Sequence, residues 1–137
     1  MARYSTKFAL IFTPSFNGDK PYYMKVNKTP YRAKQKIWLQ ELNTQIEAHL
    51  SEPQLTAKKL ALCLDISRRQ LFRKVKALTG QTLNEYINTM RFQKAKEYLE
   101  HNTYKTVAET AHAVGFKDPG YFARQFKKRY GQLPSEV

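Results

Sequence analysis

The chain contains one cysteine, Cys63, so no disulfide can form within it. That composition suits a reducing cytoplasm. Long apolar runs are absent too. Phe8-Ala9-Leu10-Ile11-Phe12 is apolar but far too short for a membrane span or the apolar core of a signal peptide. The expectation is therefore a soluble, cytoplasmic protein with no membrane-spanning segment. His49, His101 and His112 lie far apart and share no metal-ligand spacing. There is no G-x-S-x-G, no phosphate-binding glycine loop, and no nucleophile with a base beside it. Catalytic chemistry, metal sites and cofactors are accordingly not expected.

Acidic residues are scarce: 11 Asp and Glu stand against 24 Lys and Arg, a formal charge of +13. Such an excess attracts polyanions. Nucleic acid is the first candidate partner and an anionic membrane surface the second; charge alone does not separate them. Apolar residues make up 42% of the 137 positions, enough for a core. That argues against wholesale disorder and for one domain, with or without an appendage.

Residues 1–35 differ from the rest. They hold Pro14, Pro21 and Pro30, the turn signal Asn17-Gly18-Asp19, and two short β-like runs, Lys7 to Phe12 and Tyr22 to Val26. They carry seven basic residues (Arg3, Lys7, Lys20, Lys25, Lys28, Arg32, Lys34) and one acid, Asp19. This reads as a basic extension, either an extended arm or a β-hairpin docked on the body. From Lys36 the pattern becomes helical. Ile37, Leu39, Leu42, Ile46 and Leu50, with Trp38 beside them, predict an amphipathic helix stopped by Pro53. Thr56 can cap a second helix burying Leu60, Ala61 and Leu64, with Cys63 as inert core. Ser67 caps a third, Arg68 to Leu78, and Gly80 suits its C-terminal end. Thr82 opens a long helix to about His101, apolar on two stripes: Leu83, Tyr86, Ile87 and Met90, then Phe92, Ala95 and Leu99. A short helix from Thr106 to Val114 follows. Asp118 caps a last one, Pro119 to Tyr130, which Gly131 ends.

Two of these segments repeat at an offset of 51 residues, from Ser67 to Asp118. Leu71 matches Phe122 and Val75 matches Phe126, so the core stripe recurs. Arg73 matches Arg124 and Lys76 matches Lys127, so a basic face recurs with it. Gly80-Gln81 matches Gly131-Gln132. Ala61 and Ala111 hold equivalent places in the preceding short helices, and the second copy has one extra residue in its turn. Each copy reads as short helix, tight turn, longer helix, the plan of a helix-turn-helix. The turn needs a residue that tolerates left-handed φ; Gly115 does so freely and Asp65 at some cost.

The segments SRRQLFRKVKALTG and AVGFKDPGYFARQFKKRYGQLPSE resemble the DNA-binding domain of the AraC/XylS family of bacterial transcription regulators. The resemblance spans roughly Lys36 to Val137. It implies an all-α domain with two helix-turn-helix subdomains, about 56–79 and 106–131, joined by a linker helix at about 82–101. It also implies that each unit places its second helix in one of two successive major grooves of double-stranded DNA. The chain departs from the family pattern at Asp65, where Gly is usual, at Thr110, where a core Ile is common, and at Gly120, where Ser is usual. The family's sensor domain is not recognisable in residues 1–35.

The candidate base contacts are Arg68, Arg69, Phe72 and Arg73 on the first recognition helix and Pro119, Gly120, Ala123 and Arg124 on the second. Arginine can grip guanine O6 and N7 with two hydrogen bonds, and Phe72 can meet a thymine methyl. The candidate backbone contacts are Ser67, Lys76, Lys117, Tyr121, Lys127 and Lys128. Arg91, at the family's arginine position in the linker helix, is a further one, or else braces the core. The function expected is a sequence-specific transcription regulator, an activator or a repressor, binding as a monomer, with RNA polymerase as a further candidate partner. One rival is a purely electrostatic module for RNA, nonspecific DNA or anionic lipid. The other is the output fragment of a longer sensor-regulator.

Overall fold

The computed structural model describes residues 29–137, with side chains from Arg32 onward. The two β-like runs expected between residues 7 and 26 lie outside the described residues. Six α-helices follow in order: α1 (Thr29–Ala48), α2 (Ala57–Cys63), α3 (Arg68–Thr79), α4 (Leu83–Glu100), α5 (Val107–Ala113) and α6 (Pro119–Tyr130). A 3-10 turn, Pro134–Glu136, closes the chain. No strand occurs among the described residues.

The helices divide into two units. The first comprises residues 29–48 and 57–81, hence α1, α2 and α3. Trp38, Leu39, Leu42 and Ile46 of α1 are buried, with Leu60 and Ala61 of α2 and Leu71, Val75 and Leu78 of α3. Each fully buried aliphatic side chain contributes about 1.5–3 kcal/mol through removal from water. Ala61 is buried where α2 meets its neighbours, so its small side chain permits close approach.

Several expectations need correction here. Helix α1 begins at Thr29, not at Lys36. Pro30 therefore sits in the first helical turn, where its missing N–H costs nothing, instead of marking a turn. Ile37 is 56% exposed, because the buried face runs through positions 38, 39, 42 and 46. The helix ends at Ala48, before Pro53. Cys63 is exposed at the end of α2, not core, and Leu64 is only half-buried.

The second unit comprises residues 49–56 and 82–137, hence α4, α5, α6 and the 3-10 turn. Helix α4 buries Leu83, Tyr86, Ile87, Met90, Arg91, Phe92 and Ala95, more than half its circumference; Leu99 is half-buried. Phe92 stacks on Phe122 at 5.7 Å between ring centroids and tilts against Phe116 at 4.9 Å. Phe122 meets Phe126 at 5.7 Å. These rings, with Ala111, Val114 and Thr110, form the core of this unit. Thr110 is fully buried, and its hydroxyl donates to the Thr106 carbonyl at 3.3 Å. Threonine is thus accommodated where the family favours isoleucine.

Local chemistry sets the helix ends. Ser67 accepts from the Gln70 N–H at 3.1 Å while the Gln70 side chain accepts from the Ser67 N–H at 3.0 Å. The same reciprocal pair joins Thr82 with Glu85 and Thr106 with Glu109. Each such cap satisfies two backbone donors that a helix otherwise leaves orphaned. Asp118 accepts from the Gly120 N–H at 2.9 Å ahead of Pro119, which needs no partner.

Candidate nucleic-acid interface

The two turns repeat bond for bond. Leu64 N–H donates to Leu60, Asp65 to Leu62 and Ile66 to Ala61. In the second unit Val114 donates to Thr110, Gly115 to His112 and Phe116 to Ala111. Asp65 has φ 57° and Gly115 φ 94°, so both turns use the left-handed region at the expected residue. The loop after α5 is one residue longer than the loop after α2.

Each turn delivers a longer helix that buries one stripe and exposes another. In α3, Leu71, Val75 and Leu78 face inward. Arg69, Phe72, Arg73 and Lys76 fall at steps of three and four on the opposite side, and all are exposed. Ser67 and Arg68 are exposed beside them. Phe72 is 47% exposed, so this ring does not fill the core. Lys76 also donates from Nζ to the Gly80 carbonyl at 3.1 Å, neutralising the carbonyl end of its own helix.

The corresponding stripe of α6 is Gly120, Ala123, Arg124 and Lys127. Phe122 and Phe126 face inward. Gly120, Arg124, Lys127 and Lys128 are exposed, whereas Pro119 and Ala123 are half-buried. Arg124 lies back toward the helix start: a Cβ added at Gly120 would stand 3.5 Å from its Nη1. Tyr121 is exposed and rests against Phe116, with centroids 6.3 Å apart. Lys117 is exposed in the turn. Neither α3 nor α6 contains an acid, so both exposed stripes are electropositive without internal compensation. At equivalent positions the first stripe reads Arg, Phe, Arg, Lys and the second Gly, Ala, Arg, Lys. The first unit therefore presents more side-chain donors.

Arg91 does not belong to this surface. It is 5% exposed and donates from Nη1 to the Val114 carbonyl and from Nη2 to the Glu52 carbonyl, both at 2.9 Å. Burial pushes its pKa below the usual value, though a guanidinium remains charged. Of the two roles open to it, its burial and its two carbonyl partners favour the bracing one. It braces the interior of the second unit.

A family profile described as Helix-turn-helix domain matches residues 60–137. A crystal structure of a transcriptional regulator with an AraC-type DNA-binding domain from Chromobacterium violaceum superposes with a TM-score of 0.68 at 26% identity, covering 76% of this chain and 91% of that one. The chain belongs to the AraC/XylS-type helix-turn-helix family. The DNA-binding domain of AdpA, a global transcriptional factor solved in complex with a target DNA, is 30% identical with a TM-score of 0.62, covering 70% and 85%. The transcriptional activator RhaS of Enterobacter sp. (strain 638) is 31% identical over 99 residues, 72% of this chain and 35% of RhaS. Histidine kinase P4 of Formosa agariphila is 34% identical over 91 residues, 66% of this chain but 7% of that kinase. The chain thus spans about a third of RhaS and a small part of the kinase.

In this AraC/XylS-type domain two cations outside the candidate contact set are engaged. Lys74 places Nζ 4.4 Å from the centre of the Trp38 ring, and Arg129 lies 4.9 Å from that of Phe92. Both sit off the exposed stripe, over aromatic rings of their own unit. Helical phase gives the signal: neither falls on the 69–72–73–76 pattern or its counterpart 51 residues on. The caps at Ser67 and Thr82 were expected; their reciprocal partners Gln70 and Glu85, and the pair Thr106 with Glu109, were not, though the S-x-x-Q and T-x-x-E spacing carries the signal.

Proposed function

We propose that this chain is the sequence-specific, double-stranded DNA-binding part of a transcription regulator, seating α3 and α6 in two successive major grooves. One observation carries the reading. Two turns with the same hydrogen bonds each launch a helix whose core stripe is buried and whose opposite stripe is basic and free of acids. On α3, Arg69 and Arg73 have the position and the paired donors to read guanine edges, and Arg68 and Phe72 flank them. On α6, Arg124 is the main reader, with Pro119, Gly120 and Ala123 fitting apolar or close contacts. Ser67, Lys76, Lys117, Tyr121, Lys127 and Lys128 supply phosphate contacts, which fix register without reading sequence.

Two recognition helices on one chain do what a dimer does elsewhere, so a monomer suffices for two groove faces about 34 Å apart. A cytoplasmic place, contact with RNA polymerase, and the absence of enzymatic activity belong to the same reading. Among the described residues no helix is long and apolar enough to cross a membrane, and no three His, Cys, Asp or Glu side chains form a metal cluster. The test is competition between a selected duplex and random DNA at fixed salt. A preference of about a thousandfold or more supports the proposal. Equal affinity for random DNA, RNA or anionic vesicles would favour the electrostatic module instead.

A further inference from the structure

We infer that Arg91 is a positioning residue for the second recognition helix, holding the α5–α6 turn so that α6 is presented at the angle its DNA half-site needs. This rests on the DNA-binding reading above. The turn runs from Val114 to Asp118 and leads directly into Pro119, so its backbone sets the direction of α6. The Val114 carbonyl is the acceptor for Arg91 Nη1, and the same guanidinium reaches the Glu52 carbonyl through Nη2. One planar group thus clamps the turn to the 49–56 segment and to α4. Two donors in fixed geometry constrain direction as well as distance.

Gly115 is the complementary half of the device. A Cβ there would overlap the Arg91 guanidinium and come within 2.5 Å of the Leu50 carbonyl. The equivalent turn of the first unit carries Asp65, which keeps a Cβ at the same left-handed conformation. Left-handed φ alone therefore does not demand glycine in this fold. In the second unit the close approach of the Arg91 guanidinium and of the Leu50 carbonyl does. The expected Gly at both turns thus separates into two causes, one conformational and one steric.

The experiment uses the full chain, wild type and R91M, on three duplexes: the preferred site, that site with the first half scrambled, and that site with the second half scrambled. The inference expects R91M to lose at least about tenfold of the wild-type discrimination against second-half scrambling. Discrimination against first-half scrambling should stay within about twofold. R91K, which keeps the charge and can reach one carbonyl, should recover part of the loss. A variant that weakens all three duplexes by one factor, or keeps full second-half discrimination, would overturn the inference. If circular dichroism shows R91M unfolded, R91K carries the test alone, with a selective loss of about threefold or more at the second half supporting it and a uniform loss refuting it. Wild-type indifference to the second half would instead refute the two-groove reading, and with it the object of the positioning.

Discussion

Gly115→Ala and Gly131→Ala look alike in sequence and should differ sharply in stability. Both glycines lie in the second unit with positive φ, 94° and 80°. At Gly131 an added Cβ meets nothing within 4 Å. The cost is then that of an L-residue in the left-handed region, about 1–2 kcal/mol. At Gly115 the same cost applies, and the guanidinium of Arg91 must also leave. Losing its bond to Val114 removes a charged hydrogen bond worth about 1.5–3 kcal/mol. Together these come to about 2.5–5 kcal/mol, before the Leu50 carbonyl gives way, a large share of the roughly 5–15 kcal/mol that holds a domain of ordinary stability. Urea unfolding reads the difference. With a slope of about 2 kcal/mol per molar, the two midpoints should lie about 1 M apart. A double-mutant cycle sharpens the test, since R91M removes the guanidinium part of the steric conflict and leaves the Leu50 carbonyl. Gly115→Ala should then cost about 1.5–3 kcal/mol less in the R91M background than in the wild type. Equal midpoints for the two alanine variants, or strict additivity with R91M, would refute the account of Gly115.

Other outcomes follow from the same geometry. Arg73→Ala and Arg69→Ala should each cost about 1–3 kcal/mol on the preferred duplex and relax sequence preference at one position; equal loss on random DNA would make them phosphate contacts. Lys128→Ala should weaken binding to all duplexes alike and reduce the slope of log affinity against log salt by about 0.9, as read by titrations between 50 and 200 mM salt, salt levels of the order where this effect is large. A chain lacking residues 1–28, with their five basic side chains and one acid, should show a flatter salt slope and an unchanged preferred sequence. Phe122→Ala, at a fully buried ring touching Phe92, Phe116 and Phe126, should cost about 3–5 kcal/mol by calorimetry, and a loss under 1 kcal/mol would mean the aromatic core is misassigned.

The architecture was legible where residue type and spacing have one physical solution. Ser67, Thr82 and Asp118 cap helices because each stands just before an apolar stripe of helical period. Gly80 and Gly131 end helices because each follows one. The repeat exposed the turns, and the left-handed φ at Asp65 and Gly115 was expected from the tightness they require. Where several solutions compete, sequence was a poorer guide. Pro30 serves equally as a turn residue or in a helix's first turn, so the start of α1 was misplaced. Ile37 is apolar but one position out of phase with Trp38, and phase decides which residue is buried. Cys63 was assigned to the core by neighbourhood, yet it sits at the exposed end of α2. Arg91 was ambiguous because an arginine binds a phosphate or a backbone carbonyl with the same donors. Only burial separates those roles, and burial is a property of the packed unit.

We propose that one chain reads two successive grooves with two unequal helices. Selection from a random duplex pool, with stoichiometry measured on the winning site, tests it most directly. The expected result is one asymmetric site bound by a single chain, with two blocks of preference centred about 10 base pairs apart and the block facing α3 more sharply defined. A palindromic site that requires two chains, or one block of preference with no second, would contradict it.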